Sequence, residues 1–375
     1  MIYLKKNLIL TLSLEFLRKI EEQGYKAYIV GGFVRDYLLG IESNDVDITT
    51  NATPKQIRNI FTNVKFKKSV ENFQDSYGSV LVIYKNIVFE VTTFRKELEY
   101  FDNRHPSKIE YVNDLETDLK RRDFTINAIC MDKNGIIIDP LNGRGDLKKK
   151  TIQTINDSTK SFMEDALRIL RAIRFATILN FKLDPKIIES IKITKKYLKN
   201  ISYERKKVEL DKIFASKNAK KGIELIKNLS LIDTLELTNL DRIKDYTDLI
   251  GIWSMINSDV YKFTKHEKEL IKKVNYVYNL NNLDPMILYK NGLYVNILAG
   301  INKGISKKEI TKVYDSLPIK SKQDIQISAS EICKILKKEP DEFLNTIYNS
   351  LEKEILNKKI ENTKEDLISY IEKNY

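Results

Sequence analysis

Residues 27–49 constrain the fold more than any other stretch. Ala27-Tyr28-Ile29-Val30 is a short apolar run ending at Gly31-Gly32, and it reads as a buried strand. Phe33 to Leu39 then repeats at helical spacing through Phe33, Tyr37 and Leu38, with Gly40 as a stop. Asp45-Val46-Asp47-Ile48-Thr49 alternates as a second strand, with Asp45 and Asp47 on one face and Val46 and Ile48 on the other. The glycine pair lets backbone N–H groups approach a phosphate at a helix N-terminus. Arg35, in the first helical turn, can fork onto phosphate oxygens. Two carboxylates this close repel unless a cation lies between them, and Mg²⁺ held by one or two carboxylates plus substrate phosphates is the usual solution. The stretch predicts a mixed α/β unit that handles a nucleoside triphosphate and Mg²⁺, with Gly31, Gly32 and Arg35 on the nucleotide and Asp45 and Asp47 on the metal.

Alone, a glycine pair reads as a turn and an Asp-x-Asp as a solvated loop. Together and in this order, with 12 residues between Gly32 and Asp45, they resemble the signature of the DNA polymerase β-like nucleotidyltransferase superfamily. No G-x-x-x-x-G-K-[ST] occurs, which excludes a P-loop protein.

The 375 residues give room for roughly two to four domains. A net charge of +12 suits a polyanionic partner, nucleic acid first, although a Lys-rich solvated surface explains charge alone equally well. Two cysteines, Cys130 and Cys333, make no disulfide framework and point to a reducing cytoplasm. Two histidines, His105 and His266, exclude a metal phosphohydrolase of the His-Asp type. No apolar run is long enough to span a membrane. Ile9, Leu12, Phe16 and Ile20 make Met1–Ile20 an amphipathic helix rather than a leader, because Glu15 interrupts the apolar stretch and no small-x-small cleavage site follows.

Ser79–Tyr84 and Ile87–Phe94 read as strands joined by Lys85-Asn86. Glu90 lies opposite the apolar face of the second strand and is a candidate third carboxylate beside the acidic pair, or an ordinary exposed strand residue. Past Asp139, helical periodicity takes over, in Phe162–Leu179, Val208–Phe214, Gly222–Leu235 and Lys364–Asn374. Asn281–Pro285 reads as a break in this helical arm.

Two further motifs bear on the substrate. In Arg121-Arg122-Asp123-Phe124-Thr125-Ile126-Asn127-Ala128, Arg122, Asp123 and Asn127 offer a cation, an acceptor and an amide. Such a set fits a ribose and a phosphate, or a salt-bridge network bracing the sheet. In Glu164-Asp165-Ala166-Leu167-Arg168, Asp165 and Arg168 are three apart and share a face of one expected helix. They make either an intrahelical ion pair or a reader of bases. Cytosine and adenine each present an amine beside a ring-nitrogen acceptor, whereas guanine and uracil present a carbonyl beside a ring N–H. A carboxylate and a guanidinium therefore match the first two and mismatch the others. Arg171 and Arg174 continue the spacing as a basic ridge for triphosphate or RNA backbone.

With these segments in hand, the chain resembles the class II tRNA nucleotidyltransferases, the CCA-adding enzyme family that also includes bacterial poly(A) polymerases. The matching segments are GGFVRDYLLG, DVDITTNATP, FEVTTFR, RRDFTINAI, DPLNGRGDL, EDALRILRAIRFA and ISYERKKVEL, in family order across residues 31 to about 210. Asn142 departs from the family's usual second glycine.

The resemblance implies an α+β polymerase β-like nucleotidyltransferase head (1–138), followed by an all-α neck (139–200), body (201–280) and tail (281–375). It implies metal binding by Asp45 and Asp47, and nucleotide binding by Gly32 and Arg35. Arg122 and Asp123 would face ribose and phosphate. Asp165 and Arg168 would serve as a protein template, with Arg171 and Arg174 nearby, and Glu204, Arg205 and Glu209 would brace the neck. CTP and ATP are the implied substrates and tRNA the partner.

Within the family, a full-length Arg95–Pro106 loop argues against CC-only addition, and Asn63–Lys68 lacks the basic signature of poly(A) polymerases. A-only addition stays open. The rivals from other classes are a non-catalytic RNA-binding descendant, opposed by the intact Asp45 and Asp47, and a small-molecule nucleotidyltransferase, opposed by Asp165, Arg168 and the long basic arm.

Overall fold

The structure, a computed structural model, describes residues 2–62, 64–65, 78–100, 106–256 and 258–375. Two compact units divide the chain, Met1–Leu235 and Glu236–Tyr375.

In the first unit the apolar run forms β1 (Ala27–Val30), and the helix Gly32–Leu38 leads to β2 (Val46–Thr50). There follow β3 (Val64–Lys65), β4 (Ser79–Tyr84), β5 (Ile87–Thr93), β6 (Arg95–Tyr100), β7 (Pro106–Tyr111), β8 (Cys130–Met131) and β9 (Ile137–Ile138). Seven of these form a mixed sheet in the order β3-β4-β5-β2-β1-β8-β9. β1 and β2 are antiparallel, whereas β2 and β5 are parallel.

Lys85 and Asn86 join β4 to β5 with φ of 47° and 64°. Two successive positive φ values give the turn that matches the right-handed twist of a hairpin. β6 and β7 pair antiparallel as a separate hairpin. The segment read as a loop between Arg95 and Pro106 is thus carried on strands, and its tip, 101–105, lies outside the described residues together with His105. Most of the Asn63–Lys68 signature lies outside them too.

The first helix, Ile2–Glu21, buries Phe16, Leu17 and Ile20 completely. Phe16 stacks on Phe61 and on Phe89, each with ring centroids 4.3 Å apart. This packing holds the helix against the face of the sheet that carries the apolar side chains.

Three expected helices differ from what is observed. Phe162–Leu179 is two helices, Ser158–Glu164 and Leu167–Ile178. Asp165 between them is extended (φ −138°, ψ 102°), and its Oδ1 accepts from the Leu167 N–H at 3.1 Å. A short acidic side chain that captures a nearby backbone N–H ends one helix and starts the next. The apolar period runs through the break and hides it. Gly222–Leu235 is likewise split into Ala219–Asn228 and Ile232–Leu235, with Ser230 at φ 52°. Val208–Phe214 is the end of a longer helix, Tyr203–Phe214. Lys364–Asn374 is a helix with those bounds. A short parallel pair, Thr151–Ile152 with Lys182–Leu183, interrupts the otherwise helical run after the head.

The second unit is helical. Leu288, Ile310, Ile332, Ile347, Leu351 and Leu367 are buried at its core. Asn281–Pro285 connects the helices Lys265–Tyr278 and Pro285–Lys303 inside this unit, where Asp284 accepts from the N–H groups of Met286 and Ile287. Among the described residues no helix is long and apolar enough to cross a membrane.

Candidate active site

A cleft of about 690 Å³ opens in the first unit, and the twelve residues that the sequence assigns to metal or nucleotide all line it. Arginines outnumber carboxylates around it, so the site as a whole favours an anion.

At one end lie the glycine turn and the acidic pair. Gly31 has φ 79°, a left-handed conformation that an L side chain rarely adopts. A Cβ there would stand 3.3 Å from Asp47 Oδ2 and 3.8 Å from Arg122 Nη1. The positive φ favours glycine, the approach to Asp47 is tight and that to Arg122 is an ordinary contact, so the turn lies close beside the Asp47 carboxylate. Asp47 pairs in register with Val30 of β1 and Glu90 of β5. Glu90 therefore stands beside Asp47 on the same face of the sheet, half-buried, although it does not line the cleft. Asp45 is exposed and immediately precedes β2.

A chain of polar contacts leads from this turn to the helix Leu167–Ile178. Arg35 donates through Nε and Nη2 to Asp36 at 2.8 and 3.0 Å, and through Nη1 to Asn127 Oδ1 at 2.8 Å. The fork expected on phosphate is closed on Asp36, so Arg35 organises the wall as much as it faces the cleft. Asn127 Nδ2 donates to Asp123 Oδ1 at 3.0 Å, and Arg171 Nε donates to Asp123 Oδ2 at 2.7 Å. Arg174 pairs with Glu209 at 3.1 Å and lies 4.3 Å from the centre of the Phe175 ring. The expected ridge thus exists, but each of these two arginines is paired with a carboxylate, as buried charge requires. Burial pulls the Arg174 pKa down to about 10 against the opposing charge of Glu209, which leaves it charged at neutral pH.

Burial works to raise the Asp123 pKa. The charge of Arg171 and hydrogen bonds from Asn127 and Arg171 outweigh it and hold the carboxyl at about 2, below its ordinary 3.8. A depressed folded-state pKa stabilises the fold above the unfolded value, and the contribution disappears as pH falls from about 4 through about 2. Urea unfolding between pH 6 and pH 2.5 checks this. Wild type should lose about 2 kcal/mol more across that window than Asp123→Asn, which has no such proton to bind.

Asp165 and Arg168 both face the cleft, and they do not pair with each other. Arg168 Nη1 contacts Glu164 at 3.3 Å, whereas Asp165 Oδ2 lies 3.7 Å from Arg205 Nη2. The intrahelical ion pair that their spacing allowed is therefore absent, and so is the single helix face. Both reach the same cleft because the chain breaks between them. Burial raises the Asp165 pKa, with Arg205 and Arg168 opposing.

Sequence reasoning missed four residues at this site. Asp118, fully buried, accepts from Thr49 Oγ1 and Arg121 Nε, both at 2.9 Å, and pairs with Arg122 at 3.3 Å. It is the hub of the bracing network that the octapeptide allowed as an alternative. Its helical spacing from Arg121 and Arg122 was the available signal. Arg121 and Glu97 pair at 3.2 Å on the cleft wall. Arg205, expected only to brace, also lines the cleft, while Glu209 braces as expected.

The donor set suits an anionic ligand and a hard cation. Three buried guanidinium nitrogens of cleft residues, Nε of Arg122 and Arg174 and Nη1 of Arg205, have no hydrogen-bond acceptor among the described residues. Asp45 and Asp47 place two carboxylates on the cleft wall, and among the described residues no three His, Cys, Asp or Glu side chains form a cage. An ion that takes one or two carboxylates plus substrate phosphates fits this set, and a dedicated all-protein site does not.

Comparison with known proteins accords with this geometry. Residues 27–153 match the Poly A polymerase head domain, residues 180–239 the probable RNA and SrmB-binding site of polymerase A, and residues 256–371 the putative tRNA nucleotidyltransferase domain 2. The chain is 35% identical to the CCA-adding enzyme of Ligilactobacillus salivarius, over 96% of each sequence. It is 32% identical to that of Staphylococcus haemolyticus, again over 96% of each. Among solved structures, the Bacillus stearothermophilus CCA-adding enzyme in complex with CTP is similar with a TM-score of 0.78, at 26% identity over 96% of each chain. The head is thus that of a polymerase-type nucleotidyltransferase, a class that generally uses divalent metal ions. Over nearly its whole length the chain belongs to the CCA-adding enzyme family.

Proposed function

We propose that the protein transfers CMP and AMP from CTP and ATP to the 3′ end of tRNA, releasing pyrophosphate, without a nucleic-acid template. The observation that carries this reading is the shared cleft, in which the Asp45/Asp47 pair and the Asp165/Arg168 pair line one volume.

Asp45 and Asp47 hold Mg²⁺ together with the triphosphate. When bound there, Mg²⁺ lowers the pKa of the attacking 3′-hydroxyl and neutralises charge on the α-phosphate and the leaving pyrophosphate. Gly31 and Gly32 keep the turn free of side chains, so a phosphate can approach the backbone. Arg122 faces the triphosphate, and Asp123 accepts from a ribose hydroxyl. Asn127 sets the direction of Arg35 and Asp123 through the contacts described above. Arg171 and Arg174 add positive charge beside the nucleotide. Asp165 accepts from the exocyclic amine of cytosine or adenine, and Arg168 donates to the neighbouring ring nitrogen. Lysines elsewhere on this +12 chain hold the tRNA by its backbone. The reaction belongs in the cytoplasm.

Product lengths test the reading. On tRNA ending before CCA, CTP alone should add two residues, and CTP with ATP three. On tRNA ending in CC, ATP alone should add one. Addition of AMP alone would make the protein an A-adding enzyme, and long extension of an oligo(A) primer would make it a poly(A) polymerase.

A further inference from the structure

If Arg168 addresses the base, the direction of its guanidinium decides which base is accepted. Four contacts fix that direction. Nη1 donates to Ser161 Oγ at 2.8 Å, to Glu164 Oε2 at 3.3 Å and, more weakly, to the Ser161 carbonyl at 3.4 Å. Nη2 donates to the Arg121 carbonyl at 3.1 Å. A guanidinium carries five N–H donors in one rigid plane. With Nη1 engaged and one Nη2 hydrogen given to Arg121, the Nε hydrogen and the second Nη2 hydrogen are not spent on these contacts.

The contacts are unequal. Glu164 is partly exposed, with 27% of its side chain accessible. Ser161 is 2% exposed and gives the shortest contact. It also stands on the helix Ser158–Glu164, on the far side of the break at Asp165 from Arg168. Its hydroxyl therefore ties the two helices together at the point where the two base-facing side chains diverge.

We infer that Ser161 is a positioning residue for nucleotide selection: its hydroxyl fixes the plane of the Arg168 guanidinium, so that the unspent Nε and Nη2 hydrogens keep one direction in the cleft. The inference rests on the base-reading role proposed for Arg168. Losing a buried hydrogen bond to a charged group loosens the plane without removing the charge. Correct nucleotides then lose their match, while incorrect ones lose the mismatch that excluded them.

The test uses the full chain and four variants, Ser161→Ala, Ser161→Thr, Arg168→Ala and the double Ser161→Ala/Arg168→Ala. Single-nucleotide kcat and KM are measured with CTP, UTP and GTP on tRNA ending before CCA, and with ATP, UTP and GTP on tRNA ending in CC. Thermal unfolding is followed in parallel. Ser161→Ala should lower kcat/KM for CTP and ATP about tenfold and leave UTP and GTP unchanged or improved. Ser161→Thr should restore discrimination, and Ser161→Ala should cost nothing further once Arg168 is alanine. Should alanine at 161 lower the unfolding temperature, Ser161→Cys, close in size and a poor acceptor, repeats the measurement. Equal losses with all nucleotides, or none, while Arg168→Ala destroys discrimination, would overturn the role of Ser161 alone. Wild-type discrimination in Arg168→Ala would overturn the base-reading role itself.

Discussion

Asp47→Asn should reduce nucleotidyl transfer by at least about 10³-fold and leave tRNA affinity within about twofold, since stabilisation of transition-state charge by a metal amounts to several kcal/mol and each 1.36 kcal/mol is tenfold in rate. The substitution keeps the shape of the side chain and removes its charge. Asp47 sits between Val30 and Glu90 in the sheet, with its carboxylate against the Gly31 backbone. An amide there preserves the packing, so a loss of rate reports on the cation and not on folding. RNA binding should survive, because on the proposed reading the phosphates are held by basic side chains elsewhere on the chain and not by Asp47. Rapid-quench extension of tRNA ending in CC with ATP, beside filter binding of the same tRNA, measures both quantities. Retained transfer would remove Asp47 from the metal site.

The second large effect concerns choice of base. Asp165→Ala combined with Arg168→Ala should collapse discrimination between CTP and UTP by about 10²-fold or more, because a site built to hydrogen-bond one pattern of donors and acceptors rejects the opposite pattern strongly. Neither side chain spends its capacity on the other. Asp165 Oδ1 takes the Leu167 N–H, and Oδ2 stands 3.7 Å from Arg205, beyond a hydrogen bond. Arg168 is held through Nη1 and one Nη2 hydrogen. An acceptor oxygen and guanidinium donors are thereby oriented from outside, on residues that line the cleft. Competition between CTP and UTP in one reaction, read by sequencing the extended ends, gives the ratio directly.

Much of this site was legible in sequence because its parts are local. The strand, the glycine turn and the returning acidic strand lie within 24 residues, and each follows from side-chain alternation and a positive-φ glycine. The hairpin at Lys85-Asn86 was legible for the same reason. The break at Asp165 was not, since Phe162, Ala166, Ile169 and Ile173 continue an apolar stripe through it, and all four are buried. Hydrophobic period reports which side chains face the core, and a kinked pair of helices can bury the same stripe as a straight one. Arg205 and one half of the Asp118 network were hidden for another reason. Asp118 has a local signal in its spacing from Arg121 and Arg122, but its bond from Thr49 and the approach of Arg205 to Asp165 join residues far apart in the chain, and no local pattern encodes such contacts. Arg35 shows the converse: its position in the glycine turn was clear, but its engagement by Asp36 and Asn127 depended on how the helix packed.

A crystal structure with CTP and Mn²⁺ in place of Mg²⁺ tests the central claim most directly, because anomalous scattering locates the ion. The expected result is manganese bound by the carboxylates of Asp45 and Asp47 and by the triphosphate, with the cytosine amine on Asp165 and its ring nitrogen on Arg168. Manganese elsewhere, or a cytosine that reaches neither Asp165 nor Arg168 while its phosphates sit on the acidic pair, would contradict it.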